Sequence, residues 1–326
     1  MTDEQLIFVI SQPRSGSTML QAILGGHPDI HTCSEPWVAL PFIYALKGEG
    51  AEFDFDSRLS KSAINAFFRE GGIDEEFYNS ELNSFLTSLY SRALSNSGKK
   101  YFLDKTPRYY EISSDLINIF PKAKFIVLLR HPLSVLNSIL KTWVNEEVDK
   151  LYYYTRDLLV APRKLLDFSS EYKEKICLVS YEALVNSPKA EIKRICEYLG
   201  VDYLQEIISY NPDVDWFYGD KNFKDKQAPD GKSIDAWKNQ LSKNRHANFS
   251  LYYLRELGEE IVNSLGYDYS SALSYVKRFN PNERDYNAWN ALLPTTYVFS
   301  VEEQRMQAKE KLHGNFLKNL YTKLVN

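Results

Sequence analysis

A short apolar run near the start of the chain, followed by a polar turn and a helical pattern, limits the fold more than any other segment. Leu6–Ile10 is continuously apolar and ends at Ser11-Gln12-Pro13, which is typical of a buried parallel strand that runs into a loop. Residues 18–25 then carry apolar side chains at helical spacing, and Gly25-Gly26 ends the helix. The start of the chain therefore predicts a strand, a tight loop and a helix.

The same order recurs further along the chain. Residues 124–129 (KFIVLL) predict a second buried strand, which leads through Arg130-His131-Pro132 into helical periodicity at 133–143. Residues 176–179 predict a third strand. Strands that alternate with helices indicate an α/β fold in which helices flank a central parallel sheet.

The long segments between these strands are expected to be mostly helical. Residues 56–98 and 145–170 favour helices rich in aromatic residues, which either pack around the sheet or shape the wall of a binding pocket. Residues 211–235 are polar, contain Pro, Gly and Asp, and predict a long loop of a kind that is often functional.

The apolar core pattern ends near Gly266-Tyr267. Beyond it, residues 271–300 are expected to be irregular, and residues 301–325 are expected to form a charged amphipathic helix. We therefore expect one domain over residues 1–270 and a mainly helical C-terminal extension over 271–326. The extension is open to three roles, which are a lid on a binding site, a homodimer contact and plain packing on the domain.

The charge balance argues against one class of function. The 326 residues, 44% of them hydrophobic, suffice for one sizeable domain or one domain with an appendage. The chain has 39 Lys and Arg against 43 Asp and Glu, a net charge of −4. Nucleic-acid binding requires a basic face, so no nucleic-acid partner is expected. A small anionic ligand needs only a few converging cations.

The cysteines and the N-terminus indicate the compartment. Cys33, Cys177 and Cys196 lack a CxxC spacing, and the apolar surroundings of the last two predict core positions. The N-terminus is acidic ahead of a short apolar run, unlike a signal peptide. No segment approaches the roughly 20 apolar residues of a membrane span. We expect a soluble, cytoplasmic protein.

Residues 13–18 (PRSGST), between the first strand and the first helix, carry the first chemical signal; we call them the phosphate loop. A helix N-terminus offers unpaired N–H groups and the positive end of the helix dipole, so it binds anions. Gly16 allows a close backbone approach, and Arg14 adds a fixed charge. The segment predicts a phosphate cradle or, more simply, a helix cap. It lacks the Walker A pattern GxxxxGK[ST].

Arg130 and Ser138 are the second signal. Arg130 lies at the carboxyl end of the strand predicted at 124–129, where ligands bind in open parallel sheets. Ser138 follows eight residues later on the next helix. Taken alone, the pair is equally typical of a surface arginine and an ordinary helix serine.

Three ordered motifs resemble the sulfotransferases that use 3′-phosphoadenosine 5′-phosphosulfate (PAPS). QPRSGSTML resembles their 5′-phosphosulfate loop, P-[KR]-[SA]-G-[ST]-[ST], and FIVLLRHPLSVLNSIL resembles their 3′-phosphate motif with an Arg and a Ser eight residues apart. VSYEALVNSPKAEIKRICEYLGV is similar to the later family segment, where a strand-end Tyr or Ser precedes a helix that closes in aromatic-Leu-Gly. Together the three cover residues 5 to 267.

The resemblance implies a P-loop-kinase-like fold and transfer of the sulfuryl group from PAPS to an acceptor hydroxyl, leaving 3′-phosphoadenosine 5′-phosphate (PAP). The sequence contains no HExxH and no cysteine–histidine set, so no metal requirement is expected. The residues that the resemblance implies for the nucleotide are Arg14, Ser15, Gly16, Ser17 and Thr18 for the 5′-phosphosulfate, Arg130 and Ser138 for the 3′-phosphate, and Tyr181 on the nucleotide side.

The resemblance also implies a general base. In the cytosolic steroid and phenol branch the base is a His two residues after a Lys, but here Pro107 follows Lys105 at that spacing. Residues 32–37 (TCSEPW) instead resemble the tyrosylprotein branch, in which a Glu 21 residues after the loop Arg is the base. Glu35 is therefore the expected base, and Lys105 with Arg14 is the expected clamp on the leaving-group charge. The alternative is a carboxylate that only pairs with Lys105 or Arg14.

Two features compete with this assignment or depart from it. His27 and His31 lie in the turn after the first helix and are expected to be structural, and His131 is expected to line the nucleotide side. Family members usually close the nucleotide site with a basic triplet about seven residues before a Trp. Here Asp230-Gly231-Lys232 stands before Trp237, so Lys232, Lys226 or Gln227 is expected to substitute.

Two other functions stay open on the sequence. A nucleotide-dependent kinase is disfavoured because the Walker lysine and a strand-end Asp for Mg²⁺ are absent. A PAPS- or PAP-binding protein without turnover would not require Glu35, Lys105 and Arg14 together. For the acceptor, a small-molecule or carrier-protein-bound natural-product hydroxyl ranks first, a glycan or lipid second, and a protein tyrosine third.

Overall fold

A parallel five-stranded sheet forms the centre of the fold. The computed structural model describes residues 1–47, 57–144, 151, 153–209, 228–229, 231–242 and 244–282. The strands are β1 (Leu6–Ser11), β2 (Ile30–Thr32), β3 (Tyr101–Lys105), β4 (Lys124–Leu129) and β5 (Ile176–Ser180). Their order in the sheet is β2-β3-β1-β4-β5, and every neighbouring pair is parallel. The carboxyl ends of β1, β3 and β4 therefore meet at one edge.

Helices connect and cover the strands. They are α1 (Ser17–Gly25), α2 (Ala39–Lys47), α3 (Ser57–Gly71), α4 (Glu75–Ser95), α5 (Ser113–Ile119), α6 (Pro132–Ile139), α7 (Ala161–Glu171), α8 (Tyr181–Asn186), α9 (Pro188–Leu199), α10 (Asn244–Leu257), α11 (Glu259–Ser264) and α12 (Tyr269–Lys277). A π-helical turn, Leu140–Val144, follows α6, and another, Arg156–Val160, precedes α7.

The chain divides into two compact units. The first comprises residues 1–40 and 75–293 and holds the whole sheet. The second comprises residues 41–74 and 294–326, and its described part holds α3 and most of α2. The predicted boundary at residue 270 stays a prediction.

The strand β1 is buried on both faces, as its continuous apolar run predicts. Ile7 and Val9 belong to a core cluster with side chains of α1 and α9. Phe8, on the other face, stacks on Phe125 of β4 with ring centroids 5.3 Å apart. Because helices cover both sides of the sheet, all six residues of β1 are buried.

The predicted α/β fold is confirmed. The strands expected at 6–10, 124–129 and 176–179 are β1, β4 and β5, and Cys177 and Cys196 are buried in the core as expected. The short strands β2 and β3 were not predicted from the sequence.

The expectation of irregular structure from residue 271 is wrong for the segment that forms α12. Ala272 and Val276 of this helix are buried in a core cluster with α10, so the core continues past Tyr267. Residues 283–326, with the helix expected at 301–325, lie outside the described residues, as does most of the loop expected at 211–235.

Candidate active site

The phosphate loop turns sharply between β1 and α1. Arg14 and Gly16 have φ of 69° and 93°, both in the left-handed region that favours glycine. A Cβ added to Gly16 would lie 2.4 Å from Cδ2 of Tyr181. Glycine is therefore required here twice, once by the backbone conformation and once by the close approach of the Tyr181 ring.

The helix α1 begins directly after this turn. Met19 and Leu20 donate their backbone N–H groups to the carbonyl of Gly16, at 3.0 and 3.2 Å. The N–H groups of Gly16, Ser17 and Thr18 precede these first donors of the helical ladder. Groups at this position lack a partner within the helix, which is the arrangement at which helix N-termini bind anions.

A cavity of about 940 Å³ opens next to the loop. The residues that line it come from the phosphate loop, from α6 and the turn after it, and from short segments elsewhere. They are Pro13, Arg14, Gly16, Ser17, Thr18, Met19, Glu35, Trp37, Pro107, Arg108, Arg130, Ser134, Asn137, Ser138, Lys141, Thr142, Trp143, Tyr154, Tyr181, Ser233, Ala236 and Gln240. Most of the predicted site residues thus reach one cavity.

Arg130 joins the phosphate loop to the turn at residues 231–233. Its guanidinium donates to the backbone carbonyls of Arg14 and Ser233, at 2.9 and 3.0 Å, and lies 4.1 Å from the centroid of the Tyr181 ring. Burial lowers the pKa of Arg130. Its Nε has no hydrogen-bond partner in the described part of the chain. We call the phosphate loop, Arg130, Tyr181 and Ser233 the phosphate-loop side of the cavity.

The side chain of Arg14 extends toward α6. Its Nε donates to Ser138 Oγ at 3.0 Å, its Nη2 donates to Thr142 Oγ1 at 3.4 Å, and its guanidinium lies 5.4 Å from the centroid of the Trp143 ring. The structure therefore brings two predicted nucleotide ligands, Arg14 and Ser138, into direct contact.

Glu35 and Lys105 form a hydrogen-bonded ion pair. Lys105, the last residue of β3, is fully buried, and its Nζ lies 2.5 Å from Glu35 Oε1 and 3.5 Å from Thr18 Oγ1. Glu35 Oε2 accepts from Trp37 Nε1 at 3.2 Å. A carboxylate accepts about four hydrogen bonds, so this one retains capacity for an incoming hydroxyl. Lys105 links the predicted base to the phosphate loop.

A second ion pair fixes Arg108 beside Trp37. Arg108 donates through Nε and Nη2 to Asp157, at 3.1 and 2.8 Å, and Tyr110 Oη donates to the same carboxylate at 2.8 Å. Burial opposes the charge of Arg108, but the hydrogen bonds and charge of Asp157 raise its pKa. The guanidinium lies 5.9 Å from the centroid of the Trp37 ring. Lys105, although it pairs with Glu35, is not among the residues that line the cavity. We call the lining residues Glu35, Trp37 and Arg108, together with Lys105, the Glu35 side of the cavity.

Arg108 and Asp157 were missed in the sequence. Arg108 directly follows the Lys105-Thr106-Pro107 motif, which is a signal that a charged residue there lies near the site. Asp157 is 49 residues away from its partner, and nothing local marks it.

His27 and His131 have structural surroundings. His27 is buried, its Nδ1 accepts from the Asp29 N–H at 3.1 Å, and its Nε2 therefore donates to the Asp202 carbonyl at 2.9 Å. His131 caps α6 through Nδ1 and stacks on Trp237, and burial lowers its pKa to about 4. His131 is absent from the cavity lining, and its expected place on the nucleotide side stays a prediction.

Two of the predicted nucleotide ligands lie off the cavity. Lys232 is exposed in the turn Gly231–Ser233, and its neighbour Ser233 lines the cavity instead. Ser15 is fully buried, and its Oγ has no partner within the described ranges. Lys226 and Gln227 lie outside the described residues.

Comparison with known proteins identifies the family. A sequence profile described as "Sulfotransferase family" matches residues 6–206. The chain belongs to the sulfotransferase family. The match covers the phosphate loop, Glu35, Lys105, Arg130 and Tyr181, and it ends before α10.

Curated relatives carry related names. Nodulation protein NoeE of Sinorhizobium fredii is 29% identical over 73% of the chain and 61% of its own length. Protein-tyrosine sulfotransferase A of Caenorhabditis elegans is 27% identical over 63% of the chain and 52% of its own length. The chain thus spans less than two thirds of the length of these two relatives.

A solved structure shares the fold. The sulfotransferase domain of the Synechococcus PCC 7002 olefin synthase superimposes with a TM-score of 0.50 at 24% identity, over 72% of the chain and 86% of that domain. In the described ranges, no group of three His, Cys, Asp or Glu side chains is arranged to hold a metal ion. No helix within those ranges has both the length and the apolar character that crossing a bilayer requires.

Proposed function

We propose that the chain transfers the sulfuryl group of PAPS to an acceptor hydroxyl, with Glu35 as the base that takes the acceptor's proton. One observation carries this proposal. The Glu35–Lys105 pair lies in contact with Thr18 of the phosphate loop, so a proton acceptor and a buried cation stand beside the predicted phosphosulfate site. Family membership gives the reaction class, and this contact suggests which residues perform it.

The cavity as a whole fits a nucleotide with phosphates at two positions. Within the described lining, the cations are Arg14, Arg108, Arg130 and Lys141, against the single carboxylate Glu35. Arg130 Nε and Asn137 Oδ1 belong to lining residues and lack hydrogen-bond partners in that part of the chain. Ligand pockets measure about 300–1,000 Å³, so a cavity of about 940 Å³ has room for a nucleotide and an acceptor together.

The chemistry of the step assigns two roles at the Glu35 side. PAPS supplies a sulfuryl group bonded to a phosphate oxygen, and transfer forms the acceptor oxygen–sulfur bond while the sulfur–phosphate oxygen bond breaks. Glu35 accepts the proton that the acceptor oxygen loses. The ammonium of Lys105, already beside Thr18, stabilises the charge that the leaving phosphate oxygen gains.

The ion pair also fixes the position of Glu35. This carboxylate is 13% exposed and is bonded to a fully buried lysine, so it is held in place while part of it stays accessible. Simple pairing, the alternative reading of Glu35, requires no cavity next to it. The position of Glu35 in the cavity lining favours the base role.

For the acceptor, we propose a small-molecule or carrier-protein-bound alcohol, ahead of a glycan or lipid and of a protein tyrosine. Trp37 and Tyr154 offer apolar faces, and Arg108 offers donors beside them. Such a wall suits an extended acceptor with both apolar and hydrogen-bond-accepting parts. Homodimer formation stays a prediction, and so does a cytoplasmic location.

The test is calorimetric titration with PAP, with ATP as a competitor. Wild type, Arg130→Ala and Glu35→Gln are compared, and Arg92→Ala, an exposed arginine on α4, is the matched control. We expect binding of PAP that collapses in Arg130→Ala and survives in Glu35→Gln and Arg92→Ala. Binding of Mg·ATP without binding of PAP would overturn the proposal in favour of a kinase.

If PAP binds as expected, acceptors are screened with ³⁵S-labelled PAPS. The screen contains hydroxylated natural products, carrier-bound acyl chains, glycans and tyrosine peptides. Transfer to any hydroxyl that is lost in Glu35→Gln supports the proposed enzyme. Tight PAP binding with no transfer and no PAP release would identify a nucleotide-binding protein without turnover.

A further inference from the structure

Asp104 is a buried carboxyl that no step above uses. It precedes Lys105 on β3, so the two side chains point to opposite faces of the sheet. Asp104 is fully buried and accepts three hydrogen bonds from hydroxyl groups. Tyr90 Oη and Tyr109 Oη donate to its Oδ2 at 2.7 and 3.1 Å, and Thr106 Oγ1 donates to its Oδ1 at 2.9 Å.

A group of this kind is costly to bury. Desolvation raises the pKa of Asp104 to about 6, although the three hydroxyl donors and Lys105 oppose this rise. An apolar side chain at the same position would fill the core without that cost. The carboxyl therefore calls for an explanation beyond packing, and its hydrogen-bond partners supply one.

Two of the three hydroxyls also accept from the segment that carries Glu35. Thr106 Oγ1 accepts from the Trp37 N–H at 3.2 Å, and Tyr109 Oη accepts from the Ala39 N–H at 3.2 Å. A hydroxyl can donate only one hydrogen bond, and both hydroxyls donate theirs to Asp104. Their lone pairs are therefore left to accept from the backbone N–H groups. Asp104 thereby sets the direction of both hydrogen bonds.

Trp37 transmits this restraint to Glu35. The backbone of Trp37 has φ of 59°, a conformation that a bulky residue adopts only when its surroundings hold it. Its indole Nε1 donates to Glu35 Oε2. The restraint thus runs from Asp104 through Thr106 and Tyr109 to the 37–39 backbone, and from there to the carboxylate of Glu35.

We infer that Asp104 is a positioning residue, which orients Glu35 through the hydroxyls of Thr106 and Tyr109 and the backbone of residues 37–39. This inference rests on the proposed role of Glu35 as the base. Asp104 touches no reacting atom. Asp104 affects the orientation of the base, so disturbing it should change the rate of the chemical step and leave nucleotide binding unchanged.

Tyr109 and Tyr90 offer a matched pair of variants. Both are buried tyrosines that donate to the same Oδ2, and of the two only Tyr109 also accepts from the Ala39 N–H. The readouts are PAP release from PAPS with water as the acceptor, the KM for PAPS, and the Kd for PAP. We expect Tyr109→Phe to lower kcat about 10-fold to 100-fold with KM and Kd unchanged, and Tyr90→Phe to leave kcat unchanged.

Two substitutions at Thr106 separate the loss of its hydroxyl from the loss of its shape. Thr106→Val removes the hydroxyl while keeping the shape, and Thr106→Ser keeps the hydroxyl. We expect Thr106→Val to lower kcat about 10-fold or more and Thr106→Ser to retain it. In a Glu35→Gln background, Thr106→Val is expected to have no further effect on kcat, because it acts through Glu35. Asp104→Asn is not required, so failure of that variant to fold does not affect the test.

The outcomes separate this inference from the proposed function. If Glu35→Gln releases PAP as fast as wild type, the role of Glu35 as base is wrong. If Glu35→Gln is impaired but Tyr109→Phe and Tyr90→Phe behave alike, Asp104 is structural only and the positioning inference is overturned. An equal loss of kcat in Thr106→Ser and Thr106→Val would overturn it too.

Discussion

The phosphate-loop side and the Glu35 side of the cavity are built in different ways. The first is centred on the phosphate loop, residues 13–18, in which a sharp turn and the start of α1 lie within one segment. Arg130, Tyr181 and Ser233 join it from distant parts of the chain. The Glu35 side combines residues 35–37 and 105–108, which are held from behind by the buried carboxyls of Asp104 and Asp157. The phosphate loop thus takes its shape from local backbone geometry, whereas the Glu35 side is built from long-range hydrogen bonds.

This difference assigns different tasks to the two sides. A backbone cradle binds any ligand that presents an anion to it, and its glycine determines whether it can form. A network of buried polar groups orients a side chain within narrow limits, and it loses that function when one member is missing. Nucleotide binding and proton acceptance should therefore be separable by mutation, and the variants below test that separation.

The largest effect is expected for Lys105→Met on the Glu35 side. Removing one partner of a buried ion pair leaves an uncompensated charge, so the free energy of unfolding should fall by about 3–5 kcal/mol. Turnover should fall about 100-fold or more, since the leaving-group charge loses its cation. Urea unfolding and PAP release measure the two changes.

The control for Lys105→Met is the double variant Lys105→Met/Glu35→Gln. Its buried glutamine carries no charge, so stability should largely return while turnover should stay low. A Lys105→Met protein that is as stable as wild type would show that the ion pair is not buried in solution as it is here.

The next largest effect is expected for Gly16→Ala on the phosphate-loop side. The new Cβ would meet the Tyr181 ring at 2.4 Å on a backbone with φ of 93°. A strain of about 1–3 kcal/mol corresponds to a loss of PAP affinity of up to about 100-fold, measured by calorimetry. Gly98→Ala, with φ of 68° and open space around it, is the control and should bind PAP normally. Normal PAP binding by Gly16→Ala would contradict the account of the loop.

Asp157→Asn should act on the acceptor and spare the nucleotide. Asn cannot hold both Arg108 donors as a carboxylate does, so the guanidinium loses its fixed position. We expect the KM for the alcohol found in the screen to rise about 10-fold, with PAP affinity unchanged. Asp167→Asn, on the exposed face of α7, is the matched control. Equal losses in acceptor and PAP binding would mean that the two sides are not separate.

The smallest effect is expected for Lys232→Ala. This lysine is exposed and lies off the cavity lining, so PAP affinity should fall less than about threefold in calorimetry. Lys173→Ala, another exposed lysine, sets the baseline for removing a surface charge. A loss of about 10-fold or more would place Lys232 over the bound nucleotide, as the family pattern suggests.

The sequence predicted those parts of the fold that continuous apolar runs mark. The strands β1 and β4 are such runs, whereas β3 (YFLDK) ends in two buried charged residues and β2 has only three residues. Neither shows the pattern by which a strand is recognised. The helix α12 was missed because only Ala272 and Val276 bury apolar side chains there.

The candidate site, like the fold, could be predicted only where its residues lie in contiguous motifs. The phosphate loop and Arg130 belong to contiguous motifs, and their positions at strand ends place them at one edge of the sheet. The contacts of Arg108 with Asp157, and of Thr106 with Trp37, join residues 49 and 69 positions apart. Such pairs depend on how the chain folds back on itself, which local patterns do not encode.

The central claim is that Glu35 performs chemistry while the phosphate-loop side binds. The most direct test is a single-turnover experiment in which wild type and Glu35→Gln are first saturated with ³⁵S-labelled PAPS. Transfer to the alcohol found in the screen is then followed in time. The account predicts that Glu35→Gln binds PAPS as wild type does and transfers the label at least about 100-fold more slowly. An unchanged transfer rate in Glu35→Gln would contradict it.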